Sequence, residues 1–403
     1  MTKTRTALVI GGGIAGPVAA MALQKAGIDV AVYEAYDSTA DGIGGGLSIA
    51  PNGLNALGVI GAEDAVRRIG TPMKALVMQS WNGKVLAELS TPPGQPDQQF
   101  VWRPELYRAL YDEAAGRGIR IEHGRRLTDL TDSGTEVTAR FADGTQASAD
   151  ILIGADGIRS TVRSLIDPAA PRPRYAGLFN IGGRIPASGL RSTGDKMYMS
   201  FGKRAFFGYQ VLDDGEAGWF VNLPMREPMA LADARARSTQ HWLAVLAEAF
   251  AGDRTPALDL IRGTDPADLL VIGAMEDLPT VPNWHQGRVV LVGDAAHATS
   301  PSSGQGASLA IESGIQLARC LRDLPHEPAF AAYEQLRRER VEKIIAAAAR
   351  TNSNKAAGPV ARMLRDLFLP AAMRMLAKSD KLTWQFNYRI DWDAPVAAVP
   401  ATV

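Results

Sequence analysis

The sequence predicts an α/β protein: a Rossmann-like nucleotide-binding domain with a mixed sheet, an antiparallel-sheet domain and C-terminal helices. Three stretches support this fold class, because in each of them a short apolar strand runs directly into a glycine-rich turn. The stretches are 6–34, 150–163 and 288–324. Between the second and the third lies a segment that alternates like β-strands, which indicates a separate sheet.

The first stretch has the pattern of a dinucleotide-binding βαβ unit. A strand at Thr6–Ile10 is followed by the G-x-G-x-x-G turn of Gly11, Gly13 and Gly16, and then by an alanine-rich helix. These glycines permit a tight turn, a close approach of the backbone to a pyrophosphate, and close packing of helix on strand. A second strand ends at Glu34, whose carboxylate would bind the ribose hydroxyls of FAD or NAD and disfavour the 2′-phosphate of NADP.

The stretch that follows is predicted to contain a loop, a hairpin and a helix. Gly42–Ile49 has four glycines and is predicted to be a loop whose backbone approaches a flat ligand, with Ser48 offering a hydroxyl. Met73–Leu89 alternates like a hairpin. Arg103 stands just before a predicted helix at Glu105–Gly116, where an arginine is well placed to contact a phosphate.

Two further strands each carry a carboxylate into a turn at their C-terminal end. The strand Asp150–Ile153 leads to Asp156, and the strand Val289–Val292 ends at Asp294. After Asp294 a loop with proline and glycine opens a helix near Gly306. The loop amides and the positive end of this helix favour negative charge, so this region has the character of a ligand site.

The composition argues against several other classes of protein. The 43 basic and 43 acidic residues cancel, so nothing in the charge predicts binding to nucleic acid or to an anionic membrane. The five histidines and the single cysteine show no metal-ligand spacing. Cys320 is expected to be a small buried hydrophobe. The apolar run Ala7–Leu23 is interrupted by glycines and lacks the order of a secretory signal, so a cytoplasmic location is expected.

Residues 174–285 are predicted to form the antiparallel-sheet domain. Lys196–Phe201, Ala205–Leu212 and Trp219–Leu223 alternate like strands, and Ser238–Ala251 is predicted to be an amphipathic helix. The Met, Phe and Tyr side chains of the strands suggest an apolar face against a flat ligand, although most of them are expected only to pack the core. The candidates for substrate contact are Met199, Phe201, Arg204 and Tyr209.

The remainder of the chain is predicted to be helical. Arg362–Lys378 mixes basic and apolar residues and contains Pro370, which would kink a helix. Such a helix could touch a membrane. Packing over the nucleotide-binding domain is the preferred interpretation, so no membrane partner is expected.

In this order, GGGIAG with Glu34, GADGIRSTVR and GDAAHATSPSSGQGAS resemble the motifs of the group A flavoprotein monooxygenases, the single-component FAD-dependent aromatic hydroxylases. Para-hydroxybenzoate, salicylate and urate hydroxylases and tetracycline-degrading monooxygenases are branches of this family. The resemblance implies an FAD site made of Gly11, Gly13, Ile14, Ala15, Gly16, Glu34, Ala35, Ser48, Arg103, Leu127, Asp156, Gly157, Asp294, Pro301, Gly304, Gln305, Gly306 and Ala307.

Within this set the resemblance implies particular roles. Glu34 would bind the adenosine ribose, and Arg103 would approach the phosphates or the ribityl chain. Asp156 belongs to a motif associated with both FAD and NAD(P)H. Asp294 would hold the ribityl chain, and the loop Pro301–Gly306 would lie beside the isoalloxazine ring.

Two positions depart from the family pattern and concern the detailed flavin contacts. Many relatives have two prolines after the histidine, where this chain has Ser300 before Pro301. Many have asparagine after the G-Q-G-small run, where this chain has Ser308. His297 could act as a base, but a hydrogen-bonded structural histidine is the preferred interpretation. No catalytic residue is assigned.

The resemblance also implies a domain order and an activity. The FAD-binding domain is assigned to residues 1–72, 101–173 and 286–326. The substrate domain is assigned to residues 73–100 and 174–285, and the C-terminal helical region to residues 327–403. The expected reaction is hydroxylation of an aromatic, polycyclic or polyketide-like small molecule through a flavin C4a-hydroperoxide, in a monomer or homodimer. O2 would be the co-substrate, and NADPH or NADH would bind transiently because a second Rossmann fingerprint is missing from the sequence.

Three other activities are open on the same scaffold. They are epoxidation, Baeyer–Villiger-type oxygen insertion, and non-catalytic binding of a reactive metabolite by a flavoprotein. A halogenase is disfavoured because the sequence has no W-x-W-x-I-P motif.

Overall fold

The computed structural model describes residues 3–38, 45–355, 358–376 and 383–398. The strands are β1 Thr6–Ile10, β2 Asp29–Tyr33, β3 Gly46–Ile49, β4 Thr71–Met73, β5 Ala75–Ser80, β6 Val85–Ser90, β7 Gln98–Trp102, β8 Arg120–Glu122, β9 Leu127–Asp132, β10 Val137–Phe141, β11 Gln146–Ala149, β12 Ile151–Gly154, β13 Arg174–Ile185, β14 Lys196–Phe201, β15 Phe206–Val211, β16 Ala217–Pro224, β17 Leu269–Asp277, β18 His285–Gln286 and β19 Val289–Leu291. The helices are α1 Ala15–Lys25, α2 Pro51–Val59, α3 Glu63–Arg67, α4 Arg103–Gly116, α5 Thr161–Ile166, α6 Leu231–Ala236, α7 Thr239–Phe250, α8 Ala257–Gly263, α9 Asp294–His297, α10 Gly306–Asp323, α11 His326–Lys355 and α12 Pro359–Leu376.

The first large sheet has six strands in the order β18-β19-β12-β1-β2-β8. β1 pairs in parallel with β12 and β2, and β12 pairs in parallel with β19, whereas β18 joins the edge antiparallel. The predicted Rossmann-like mixed sheet is therefore confirmed. Because the carboxyl ends of parallel strands meet at one edge of a sheet, the turns that follow β1, β2, β12 and β19 come together.

Helices α1 and α10 pack closely on this sheet because glycines remove the side chains between them. A Cβ atom at Gly16 would lie 1.9 Å from the carbonyl oxygen of Gly11, and one at Gly314 would lie 3.1 Å from the backbone of Ala19. The strands β1 and β12 are buried along nearly their whole length. The sheet and the two helices thus form one core that fixes the glycine turn against the start of α10.

The second large sheet has seven strands in the order β17-β13-β16-β15-β14-β5-β6, and it is antiparallel except for the parallel pair β14 and β5. Alternate side chains of β15 and β16 pack against α7, where Trp242 and Leu246 are buried. Side chains between them point to the opposite face. We call this opposite face the inner face; on β14, β15 and β16 it comprises Met199, Phe201, Phe206, Gly208, Gln210, Gly218, Phe220 and Asn222.

The loop predicted at Gly42–Ile49 is only partly within the described residues, and its last four residues form a strand instead. Residues 42–44 lie outside the described part of the chain. Gly46–Ile49 pairs antiparallel with β7, and the ring of Phe100 covers Gly46 so closely that a Cβ there would lie 2.1 Å from it. The glycine is therefore needed for packing under an aromatic ring, which a glycine count alone does not reveal.

The C-terminal helix α12 packs on the second sheet, which corrects the expected packing over the nucleotide-binding domain. Leu369 lies against the cluster of Leu86 and Phe201, and the hydroxyl of Ser80 donates a hydrogen bond to Asp366. Its outer face exposes Val360, Met363, Leu364, Leu367 and Phe368. Pro370 lies inside the helix, and residues 377–378 of the predicted stretch are outside the described part. Among the helices described, none is long and apolar enough to cross a bilayer.

A buried ion-pair cluster connects α10, α11 and α2. Glu312 is fully buried and forms ion pairs with Arg337 at 2.5 Å and Arg340 at 2.9 Å. It also accepts a hydrogen bond of 2.6 Å from the Asn52 side chain. Burial alone would raise the pKa of Glu312, but the two guanidinium groups and the amide lower it below its usual range.

We predict that Glu312→Gln lowers the free energy of unfolding by about 3–5 kcal/mol, because it leaves buried guanidinium charge without its partner. Urea denaturation of the two proteins measures the difference. The matched control is Asp129→Asn, which removes an exposed ion pair with Arg140 (2.9 Å) and should cost less than about 1 kcal/mol. Equal losses in the two variants would contradict a stabilising role for the buried cluster.

Candidate functional site

The turn after β1 is shaped to let a ligand approach the backbone. Gly11 has φ +109°, and a Cβ there would lie 2.4 Å from the carbonyl oxygen of Ala155, so the turn closes tightly against the end of β12. A Cβ at Gly13 would meet nothing within 4 Å. The backbone at Gly13 therefore faces open space at the start of α1, as a pyrophosphate cradle requires. Ile14 and Ala15 begin that helix, and Gly16 closes the packing beneath it.

Glu34 is held in place at the end of β2. Its Oε2 accepts a hydrogen bond of 2.5 Å from the Gly12 amide, and its Oε1 accepts one of 2.9 Å from the Tyr36 amide. The carboxylate thus lies beside the glycine turn, where a ribose hydroxyl could donate to it. Ala35 follows it and is partly exposed, whereas Leu127 is buried in the core at the start of β9.

Asp294 differs from Glu34 because its carboxylate has no protein donor among the described residues. It begins α9 directly after Gly293, which has φ +60°. Burial raises the pKa of this carboxyl group, while the charge of Arg103, the first residue of α4, lowers it. A half-buried carboxylate with unused acceptor capacity is suited to hydroxyl donors from a ligand.

Asp156 uses both of its carboxylate oxygens within the protein. It accepts hydrogen bonds from the Ser160 hydroxyl at 2.5 Å and from the Thr161 and Val162 amides at 2.7 and 3.1 Å. Its role in the structure is therefore to hold the turn at Gly157, which has φ +80° and open space where a Cβ would be.

The loop before α10 leaves the first amides of that helix without a side-chain cap. Pro301–Ser303 is a single 3-10 turn, Gly304 adopts φ +61°, and Gln305 stands at the cap position without donating or accepting a capping bond. The Gln305 side chain instead accepts a hydrogen bond of 2.9 Å from the Asn52 side-chain amide. The amides of Gly306 and Ala307 thus open an 18-residue helix whose positive end is available for a negatively charged ligand atom.

The two departures from the family pattern have structural partners. The Ser308 hydroxyl accepts a hydrogen bond of 3.0 Å from the Ala50 amide, directly after β3, and so connects the start of α10 to the strand that carries Ser48. The Ser300 hydroxyl donates a hydrogen bond of 3.0 Å to the Asn352 side chain of α11. Both serines therefore fix the position of the loop.

His297 is buried and hydrogen-bonded, as the preferred interpretation expects. Its Nε2 lies 2.8 Å from the Ser313 hydroxyl, and its ring lies 5.2 Å from that of Trp284. Burial lowers the pKa of His297 to about 3, so the ring stays neutral at physiological pH.

The four candidate substrate residues lie on different sides of the second sheet. Met199 and Phe201 are on the inner face with Phe206. Tyr209 belongs to the opposite cluster, where it stacks on Tyr198 at 5.3 Å, and burial raises its pKa to about 12. Arg204 is exposed beyond the end of β14 and forms an ion pair with Glu248 of α7 at 3.3 Å. Only the first two thus belong to the inner face.

Sequence reasoning missed three polar residues at the inner face, namely Asn222, Gln210 and Lys355. Lys355, the last residue of α11, donates hydrogen bonds of 2.6 Å to Asn222 and 3.0 Å to Ser302. Gln210 is buried with both amide atoms unpaired among the described residues. Alternation in β15 and β16 signals which residues share a face, but no local pattern predicts that the end of a 30-residue helix reaches it.

Comparison with known proteins agrees with this geometry. The family model described as FAD binding domain matches residues 3–203 and 278–348. The chain is 32% identical to the FAD-dependent urate hydroxylase of Klebsiella pneumoniae over 349 residues, which cover 84% of this chain and 87% of that protein. It is 32% identical to the 3-amino-4-hydroxybenzoate 2-monooxygenase of Streptomyces platensis over 405 residues, 97% of each chain.

A solved structure supports the same relationship. The Klebsiella pneumoniae protein HpxO, complexed with FAD and uric acid, superimposes with a TM-score of 0.81 at 28% identity, covering 93% of this chain and 95% of that one. Fold, sequence motifs and the carboxylate-lined turns therefore lead to one conclusion: this chain belongs to the FAD-binding flavoprotein monooxygenases of group A and is an FAD-dependent oxidoreductase.

Proposed function

We propose that this protein uses NAD(P)H and O2 to hydroxylate a small aromatic molecule bound between the loop Pro301–Gly306 and the inner face. The observation that carries the proposal is the position of Asp294 and the uncapped start of α10. In the proposed site, which we call the compartment, both would offer unused polar groups on one side, and the inner face would offer apolar side chains on the other. Such a mixture of apolar walls and few polar groups is typical of small-molecule sites.

We assign the FAD contacts from the hydrogen-bonding capacity that each group does not already use within the protein. Gly11, Gly13 and the start of α1 would bind the pyrophosphate, and Glu34 would bind the adenosine ribose. Asp294 would accept hydrogen bonds from ribityl hydroxyls, with Arg103 nearby to balance the charge of the phosphates. Asp156 would act on the site only through the shape of its turn.

Bound FAD would supply the redox chemistry and the activation of oxygen, as cofactors do in such enzymes. The chain would supply orientation and electrostatics. The amides of Gly306 and Ala307 would stabilise negative charge on the adjacent edge of the reduced ring. α12, tied to the second sheet through Asp366 and Leu369, would cover one end of the compartment and keep water out.

The inner face favours a flat substrate with polar substituents. Its centre is Gly208, flanked by Met199 and Phe220, and a Cβ at Gly208 would lie 2.2 Å from the ring of Phe220. Polar groups lie at the two ends, Gln210 at one and Asn222 at the other. The related enzymes named for urate and 3-amino-4-hydroxybenzoate support an aromatic substrate of this size. We also propose the domain boundaries given above, a monomeric or homodimeric state and a cytoplasmic location.

The first prediction concerns the ribityl contact. Asp294→Ala should weaken FAD binding roughly 10- to 100-fold, because charge-assisted hydrogen bonds to the ribityl hydroxyls are lost. The flavin content of the purified protein and an FAD titration of the apoprotein measure this. Asp259→Ala, an exposed aspartate on α8, is the control that should keep full flavin content. An Asp294→Ala protein with wild-type FAD affinity would refute the assignment.

The second prediction separates the two faces of the second sheet. Met199→Ala should raise KM about 5- to 30-fold, because it removes apolar contact with the substrate. Tyr209→Phe should leave KM unchanged, because the hydroxyl group it removes lies on the α7 side. Steady-state kinetics with the best substrate measure both. A larger change in KM for Tyr209→Phe than for Met199→Ala would contradict the assignment of the substrate to the inner face.

The third prediction concerns the reaction itself. The FAD-loaded protein should oxidise NADH or NADPH faster when a suitable aromatic compound is added, and each product molecule should carry one oxygen atom from O2. Mass spectrometry after turnover under labelled O2 measures the incorporation, starting with urate and 3-amino-4-hydroxybenzoate. Stimulated NAD(P)H oxidation that yields only hydrogen peroxide across a broad aromatic panel would overturn the monooxygenase proposal.

A further inference from the structure

One amine at the inner face is not among the groups that we assign to FAD. Nζ of Lys355 lies 2.6 Å from Oδ1 of Asn222, 3.0 Å from Oγ of Ser302 and 4.1 Å from the ring centre of Phe206. Asn222 and Phe206 belong to the second sheet, whereas Ser302 belongs to the loop before α10. The amine is therefore placed between the two walls of the compartment.

The geometry leaves one position on this nitrogen open. A neutral amine has two N–H groups and one lone pair, and a protonated amine has three N–H groups. Asn222 and Ser302 accept two hydrogen bonds, and the described residues provide no third polar partner. The remaining position is therefore a lone pair when the amine is neutral and a donor when it is protonated.

Among the described residues, no charged group compensates this amine. Burial lowers the pKa of Lys355 to about 7, and no neighbouring charge contributes to the shift. The groups that face it are Asn222 from β16, Phe206 from β15 and Ser302 from the 3-10 turn, and none of them titrates. An ammonium ion in such a place is stabilised when an anion arrives with the ligand.

We propose that Lys355 accepts the proton of an acidic hydroxyl group on an aromatic substrate and then holds the oxyanion. The O–H bond of the substrate breaks, an N–H bond forms at Nζ, and the electron pair of the broken bond stays on the oxygen. The ring carbons next to a phenolate oxygen are richer in electrons than those of a phenol, which favours attack on an electrophilic oxygen. The inference rests on the proposed function and assigns to Lys355 the removal of the proton from a hydroxyaromatic substrate.

The test uses the full-length, FAD-loaded protein and needs no turnover. The probes are 3-amino-4-hydroxybenzoate and its 4-methoxy analogue, and binding is followed through the flavin absorbance in the absence of NAD(P)H. Wild type should bind the hydroxy compound about 10- to 100-fold more tightly than the methoxy compound. At a pH below the pKa of the free hydroxyl group, the ultraviolet difference spectrum of the complex should be that of the phenolate.

Lys355→Met should lose both the preference and the phenolate spectrum while retaining FAD. Lys343→Met, which removes an exposed lysine from the same helix, should keep both. A lysine that only ties α11 to the sheet would change thermal stability without changing the ionisation of the ligand. If Lys355→Met does not fold, Lys355→Gln provides the same test with a polar side chain.

Two results would overturn the inference. The first is a wild-type protein without preference for the hydroxy compound, which includes a failure to bind it. The second is a Lys355 variant that retains the preference and the phenolate spectrum. Either result leaves the proposed function standing if another aromatic compound is hydroxylated. Conversely, a wild-type protein that binds the phenolate but never incorporates oxygen would refute the proposed function alone.

Discussion

The structure depends on the parallel pairing of β1 with β2 and β12, and of β12 with β19. This register brings four turns to one edge of the sheet, and three of them carry Gly11, Glu34 and Asp294, the residues that border the crevice we propose for FAD. The fourth turn is stabilised by Asp156, whose carboxylate accepts three hydrogen bonds from the residues of that turn and of α5. Because the strand ends are fixed by backbone pairing, the polar groups of the crevice need no side-chain contact with one another to stay in place.

A second constraint fixes the crevice relative to the inner face. Glu312 holds α10 against α11 through two arginines and α2 through Asn52, and Asn52 also binds Gln305. Glu312 and the two arginines thus join α10 to the middle of α11. The hydrogen bonds from Ser300 to Asn352 and from Lys355 to Ser302 join the loop before α10 to the end of α11. These contacts hold the amine of Lys355 against the loop at Pro301, where that loop meets the inner face.

Much of the first sheet could be predicted from sequence, because its signals are local. The G-x-G-x-x-G turn, Glu34 at the end of β2 and the strand before Asp294 each follow from spacing within a short stretch. The separation of Met199 from Tyr209 could not be predicted, because it depends on which face of β14 and β15 packs on α7. The position of Lys355 could not be predicted for a similar reason, because this residue reaches the inner face from the far end of a long helix.

The central claim is that the flavin ring lies between the start of α10 and the inner face. A crystal structure of the FAD-loaded protein with a bound hydroxyaromatic compound tests it most directly. The account predicts the ring beside Pro301–Gly306, ribityl hydroxyls within hydrogen-bond distance of Asp294, and the substrate oxygen within hydrogen-bond distance of Nζ of Lys355. A flavin ring away from the start of α10, or a substrate on the α7 side of the second sheet, would contradict it.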